Sequence, residues 1–237
     1  MEAIFTNVAA ARRDLALAVE QLMHRSPARA ADVPAVLCCH RVERILGAME
    51  LLARSGYSTE TIALGRCLLD ATFSAALALD DNEQVRAERL ERFVQAAVEY
   101  QLVQMNRLET SRHPWVQDIF NRNKASMLAQ RATLTAELQR IGGVAPTKKR
   151  MDHWFGDRRA VACAAGLEQV YDTFYQSWND EAHMGAFSME LMLKEGCTPD
   201  HLALDDAGQR LEAEHALEIC AFLAAALAKQ CEALAVK

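Results

Sequence analysis

A predicted helix around positions 171–190 carries the side chains best suited to chemistry. At 100° per residue, a stripe of aromatic and small residues runs beside a polar ridge on this helix. The stripe consists of Tyr171, Tyr175, Trp178, Ala182, Ala186 and Met189, and the ridge of Asp172, Gln176, Asn179, His183 and Glu190. An imidazole titrates near neutrality, so His183 suits a general base. This helix therefore either lines a site or builds a polar network in the core, and the sequence leaves both open.

A second candidate pair lies on an earlier helix. Arg66 and Asp70 are four residues apart, one helical turn, within an otherwise apolar segment. Arg66 shares its stripe with Ile62, Leu69 and Phe73, so we expect it to be buried, with Asp70 as its partner. Two interpretations fit this pair: a structural ion pair, or an anion-binding arginine that Asp70 holds in a pocket.

A basic segment lies between positions 147 and 159. It contains Lys148, Lys149, Arg150, Arg158 and Arg159 around His153, Trp154 and Phe155. Basic residues interleaved with aromatic ones can contact phosphates and stack on bases. The alternative is a solvated loop that Trp154 anchors to the rest of the protein.

Neither a metal nor a cofactor is expected. Asp180-x-x-His183 and Glu212-x-x-His215 have the carboxylate-x-x-His spacing of di-iron bundles. However, these motifs fall on consecutive helices, whereas ferritin-like chains alternate them with helices that carry only glutamate. The sequence also contains no glycine-rich phosphate loop, G-x-S-x-G elbow or H-E-x-x-H motif.

The elements that must position these residues are helices. The chain is rich in Ala and Leu, with only 10 Gly and 5 Pro among 237 residues, which favours an all-α protein. Ser55-Gly56, His113-Pro114 and Gly142-Gly143 are predicted to end helices. Long helices and short connections predict a single antiparallel bundle of seven to eight helices, forming one domain over residues 1–237.

The fourth predicted helix, at about 83–109, is rich in exposed charge but has an apolar stripe. We expect its buried face to contain Leu90, Phe93, Val94, Ala97, Met105 and Leu108.

Charge and cysteine usage indicate the compartment. A net charge of −6 gives no global attraction to nucleic acid or to an anionic membrane. The segment 61–79 is the most apolar, but Arg66 and Asp70 within it would each cost roughly 3 kcal/mol at a bilayer centre, so no membrane contact is expected. Seven cysteines without a C-x-x-C pair, and no secretory signal, favour a reducing cytoplasm.

Two spaced patterns resemble known families. Arg66-x-x-x-Asp70, followed by Tyr171-x-x-x-Tyr175-x-x-x-Asn179-x-x-x-His183, resembles an uncharacterised bacterial helical family. Its members typically show R-x-x-x-E and Y-x-x-x-Y-x-x-x-S-x-x-x-H helices. Asn179 and His183 also resemble part of the R-N-x-x-x-H motif of HEPN domains, many of which are metal-independent RNases in defence and toxin systems. Trp178 stands where the arginine of that motif is expected.

The HEPN resemblance implies a metal-independent endoribonuclease, or a degenerate one, in bacterial defence or stress. RNA is then the expected partner, and a homodimer is expected because HEPN relatives commonly dimerise. In that interpretation His183 is the general base, Arg66 binds the phosphate, and Asp70 and Asn179 complete the polar pocket. Further substrate contacts would come from Tyr171, Tyr175, Lys148, Lys149 and Arg150. The alternative is a non-catalytic interaction or small-ligand-binding bundle in which the same side chains form a structural network.

Overall fold

The computed structural model describes residues 2–24, 30–140, 157–182 and 206–236, and all regular structure in these ranges is helical. This confirms the all-α prediction. The helices are α1 Glu2–His24, α2 Val33–Arg54, α3 Ser58–Ala78, α4 Glu83–Thr110, α5 Pro114–Arg140, α6 Arg158–Ala164, α7 at 168–182 and α8 Asp206–Ala235. A short 3-10 turn, Ala30–Asp32, leads into α2.

Glycines end two of the helices, and the sequence predicted the first of these ends, at Ser55-Gly56. Gly56 has a φ of 84° after α2, and the next amide, that of Tyr57, donates to the Leu52 carbonyl at 2.9 Å. Gly166, with a φ of 72°, ends α6. Both adopt the left-handed conformation that glycine accepts without steric cost, and the chain reverses there.

The chain divides into two compact units by its internal contacts. One comprises Met1–Arg86 with Arg159–Lys237, and the other comprises Ala87–Arg158. The first unit therefore contains α1, α2, α3, α6, α7 and α8. The second contains most of α4 together with α5. A single domain over residues 1–237 stays a prediction.

Helix α3 is at the centre of the first unit. It packs against α2, α7 and α8, while α1 packs against α8 and α2. Leu68, Leu69 and Phe73 on α3 are completely buried. By length and composition α3 is apolar enough to cross a membrane, but 67% of its most apolar window is buried against its neighbours. Such burial is typical of a core helix in a soluble protein.

The second unit is a helical hairpin of α4 and α5. Its buried cluster contains Val98, Leu102 and Leu138, with Leu134 packed against it. The expected buried face of α4 is partly wrong: Met105 is buried, but Val94 is 37% exposed, and Val98 and Leu102 take its place. The physical reason is that the apolar residues of α4 spread over about half of the helix circumference, and the sequence pattern does not show which side of that arc meets α5.

Candidate functional site

The expected ion pair on α3 is present. Nη1 of Arg66 lies 3.5 Å from Oδ2 of Asp70, and the two side chains are 27% and 15% exposed. Burial opposes the charged guanidinium, but Asp70 and Tyr175 outweigh that effect, and the pKa of Arg66 is raised. Arg66 is therefore a permanent cation that is half-buried, rather than fully buried as the sequence predicted.

Helix α7 reaches the same arginine through Tyr175. Nη2 of Arg66 donates a hydrogen bond to the Tyr175 hydroxyl at 3.1 Å, across 109 residues of sequence. The guanidinium carbon also lies 5.5 Å from the centroid of the Tyr175 ring, which is 5% exposed. Nε of Arg66 is buried and has no hydrogen-bond partner in the described part of the chain. Arg66, Asp70 and Tyr175 thus meet, as expected of a shared polar site.

Stacked aromatic rings extend this cluster. The rings of Tyr171 and Tyr175 are 4.6 Å apart and inclined by 16°, and each lies 6.2 Å from Phe73 on α3. Tyr171–Tyr175 forms one turn of π-helix within α7, between the α-helical pieces Glu168–Val170 and Gln176–Ala182. Single π turns inside α-helices are frequent at functional sites.

A glycine allows α7 to approach α3 closely. A Cβ atom at Gly65 would lie 3.0 Å from two ring atoms of Trp178, so the indole packs directly on the α3 backbone. Trp178 is 5% exposed. Trp178 is therefore a packing residue, and it holds α7 close to α3 beside Arg66.

The outer side of α7 carries a separate ion-pair network. Arg159 on α6 donates to both oxygens of Asp172 at 3.1 Å and to Glu168 at 2.5 Å. Hydrogen bonding from Arg159 lowers the pKa of Asp172, although these side chains are exposed. From the sequence, Arg159 belonged to a basic segment that could contact phosphates or form a solvated loop, whereas in this structure it joins α6 to α7. Its partners are 9 and 13 residues away, and no sequence motif predicts them.

Several expected site residues lie outside the described residues. These are His183, Lys148, Lys149 and Arg150. Asn179 is described, and it is half-buried one helical turn beyond Tyr175. The expected meeting of Arg66 with His183 therefore stays a prediction.

A second arginine, Arg86, is more deeply buried than Arg66, and it was not predicted from the sequence. Nε of Arg86 lies 2.8 Å from Oδ1 of Asp32, with the two side chains 1% and 4% exposed. Nη1 of Arg86 also donates to the Asp80 carbonyl at 2.6 Å. Its burial could have been predicted from the sequence, because Arg86 shares an apolar stripe of α4 with Leu90 and Phe93, just as Arg66 shares one on α3.

The site at Arg66 is distinct from a cavity between α7 and α8. That cavity measures about 190 Å³ and is lined by Phe174, Trp178, Glu212, His215, Glu218 and Ile219. It brings together one of the two carboxylate-x-x-His motifs considered above. Within the described ranges, no group of three His, Cys, Asp or Glu side chains could hold a metal ion. The absence of a metal from the whole chain stays a prediction.

Comparison with known proteins identifies a family and no activity. Neither a curated protein nor a solved structure matches the chain. A family model described as a family of unknown function, DUF5677, matches residues 32–200. The matched segment includes both helices of the Arg66 site, which agrees with the expected resemblance to an uncharacterised helical family. The chain belongs to the DUF5677 family of unknown function.

Proposed function

We propose that the face where α3 meets α7 is the phosphate-binding half of an RNA-acting site of the HEPN type. The observation that carries the proposal is the state of Arg66. Its guanidinium is held by Asp70 and Tyr175, and 27% of the side-chain surface stays exposed. A fixed cation that stays partly exposed suits a phosphate, whose oxygens accept several hydrogen bonds.

His183 supplies the general base in this proposal. It removes the proton from a ribose 2′-hydroxyl, and the 2′-oxygen attacks the adjacent phosphorus. The bond from phosphorus to the 5′-oxygen breaks, and that oxygen takes a proton from solvent. The products are a 2′,3′-cyclic phosphate and a 5′-hydroxyl. Arg66 stabilises the charge that develops on the phosphate oxygens, so the reaction needs no metal ion.

The remaining expected residues act around this step. Asp70 and Tyr175 orient Arg66, and Tyr171, stacked on Tyr175, offers a second aromatic ring beside it. In this proposal Asn179 positions the imidazole of His183, while Lys148, Lys149 and Arg150 contact flanking phosphates. Loss of His183 or of its partners would leave an RNA-binding protein without cleavage, the degenerate form of the same site.

In this proposal the protein acts as a homodimer in the bacterial cytoplasm, in defence or in the response to stress. Cys38, Cys39, Cys67, Cys163, Cys220 and Cys231 are all free thiols, which is consistent with a reducing compartment.

The test is an RNA cleavage assay in EDTA. We expect the wild type to produce cyclic phosphate ends, and His183→Ala and Arg66→Ala each to lower the rate at least about 100-fold. Arg13→Ala, which removes an exposed arginine on α1, is the matched control and should cleave normally. Absence of cleavage by the wild type removes the enzyme proposal, and cleavage that survives His183→Ala removes the assignment of the base.

The second candidate is a non-catalytic ligand-binding protein, and the cavity between α7 and α8 favours it. Its walls combine the rings of Phe174 and Trp178 with Glu212 and Glu218. Aromatic faces and carboxylates together suit a small organic cation. In this case the Arg66 cluster is structural, and tetramethylammonium should change the fluorescence of the wild type but not of Glu212→Gln. A wild type that binds no such cation contradicts this candidate.

A further inference from the structure

The turn that joins α4 to α5 presents an exposed tryptophan on an ordered backbone. Only residues 111–113 separate the two helices. The side-chain amide of Gln117 donates to the Ser111 carbonyl at 2.8 Å, and the amide of Val116 donates to the His113 carbonyl at 3.1 Å. The turn is therefore hydrogen-bonded at both of its ends, and it fixes the start of α5.

Trp115 occupies the first turn of α5 and is 60% exposed. The His113 ring meets it edge to face, with centroids 5.4 Å apart and an interplanar angle of 70°. This contact orients the indole but covers little of it. A tryptophan that is held in place and stays largely exposed can stack on a flat partner without the cost of ordering it first.

The charges near this turn favour an anionic partner. The two nearby carboxylates, Glu109 and Asp118, are each paired with an arginine, Arg131 and Arg122 respectively. Arg112, in the turn three residues before Trp115, is exposed. The whole unit Ala87–Arg158 contains 12 basic and 8 acidic residues, although the chain as a whole carries a charge of −6. A net positive unit in an acidic protein is the electrostatic requirement for binding a polyanion.

Arg122 extends the surface along α5. It lies seven residues after Trp115, which is two helical turns and about 10 Å along the same helix face. The Arg122–Asp118 pair is exposed on both sides, and such pairs contribute little to stability, so the guanidinium can exchange its carboxylate for a phosphate. The aromatic ring of Trp115 therefore lies between two positive charges in the sequence, Arg112 before it and Arg122 after it.

We propose that this surface, defined by Arg112, His113, Trp115 and Arg122, binds single-stranded nucleic acid. A base stacks on Trp115, and the flanking phosphates contact Arg112 and Arg122. Single strands fit because their bases are free to stack, whereas the bases of a duplex already stack on each other. The inference goes beyond the proposed cleavage site, since its residues all belong to the α4–α5 hairpin and none to the Arg66 cluster.

Fluorescence anisotropy tests the proposal with labelled 12-nucleotide probes. The RNA probe carries 2′-O-methyl groups, which prevent attack by the 2′-oxygen, and single-stranded DNA and duplex RNA are separate arms. We expect the wild type to bind the single strands more tightly than the duplex. Trp115→Ala should raise the Kd at least about fivefold, and Trp115→Phe should restore most of the affinity. Arg112→Ala should lower the slope of log Kd against log salt by about 0.7.

Tyr100→Ala is the matched control, because Tyr100 is an aromatic residue of the same hairpin with 56% exposure. It should leave the Kd unchanged. Wild-type protein that binds no single strand, or binding that Trp115→Ala leaves intact, overturns the proposal. If this surface instead binds another protein, the wild type will bind no single strand. The proposed cleavage is tested independently, since binding of the 2′-O-methyl probe requires no reaction at Arg66.

Discussion

Arg66 and Arg86 are two arginines on apolar helix stripes, and they differ in burial and in the number of their partners. Arg86 is 1% exposed and pairs with Asp32 at 2.8 Å, while Arg66 is 27% exposed and lies 3.5 Å from Asp70. Arg86 also donates a hydrogen bond to a backbone carbonyl, whereas Nε of Arg66 is buried and has no partner in the described residues. A buried and well-coordinated guanidinium stabilises a fold, and a guanidinium that retains exposure and donors can bind a ligand.

The largest expected effect is at Arg86. Because Arg86→Ala leaves the buried Asp32 carboxylate without its cation, the free energy of unfolding should fall by about 3–5 kcal/mol. Urea denaturation followed by circular dichroism measures this change. Arg13→Ala, at an exposed position, should change stability by less than about 0.5 kcal/mol. A loss below about 1 kcal/mol for Arg86→Ala would contradict the structural role.

A smaller change is expected at Arg66. Arg66→Ala removes a pair that is less buried than Arg86–Asp32, together with one hydrogen bond, so the free energy of unfolding should fall by only about 1–2 kcal/mol. RNA cleavage should be lost in the same variant while it remains folded. If Arg66→Ala destabilises as much as Arg86→Ala, the contrast between the two arginines disappears, and the Arg66 cluster is structural.

The smallest effect concerns the exposed Arg159–Asp172 pair, and it depends on pH. Because Arg159 lowers the pKa of Asp172 below its usual 3.8, the stabilisation is present at neutral pH and is lost as the pH falls through the lower, folded-state pKa. Melting temperatures of wild type and Asp172→Asn should therefore differ slightly at pH 7 and converge towards pH 3. Curves that stay parallel across this range would show that the pair contributes nothing.

Local spacing accounts for what the sequence predicted well. The Arg66–Asp70 pair follows from a separation of four residues in one helix, and the end of α2 at Gly56 and the start of α5 at Pro114 follow from backbone preferences. These features depend on neighbours in the chain, so a single sequence contains the information.

The features that the sequence did not predict depend on packing between residues that are far apart in the chain. The hydrogen bond from Arg66 to Tyr175 joins residues 109 positions apart, and no pattern within either helix specifies it. The buried face of α4 was predicted only in part because its apolar residues cover a wide arc, and the partner helix, α5, selects Val98 and Leu102 from it. The depth of burial of Arg86 likewise depends on Asp32, from the turn before α2.

The π turn at Tyr171–Tyr175 has a consequence for how this helix can change by insertion or deletion. A wider turn accommodates about one residue more than an α-helical turn, so the following segment is offset by about 100° from a regular helix. Deleting Thr173 would remove the residue that the wider turn absorbs, so Gln176–Ala182 would keep its angle and Trp178 would stay on Gly65. A regular helix of the present length would instead turn Trp178 away from Gly65 by about 100°, so this helix tolerates the loss of one residue better than the loss of its wide turn.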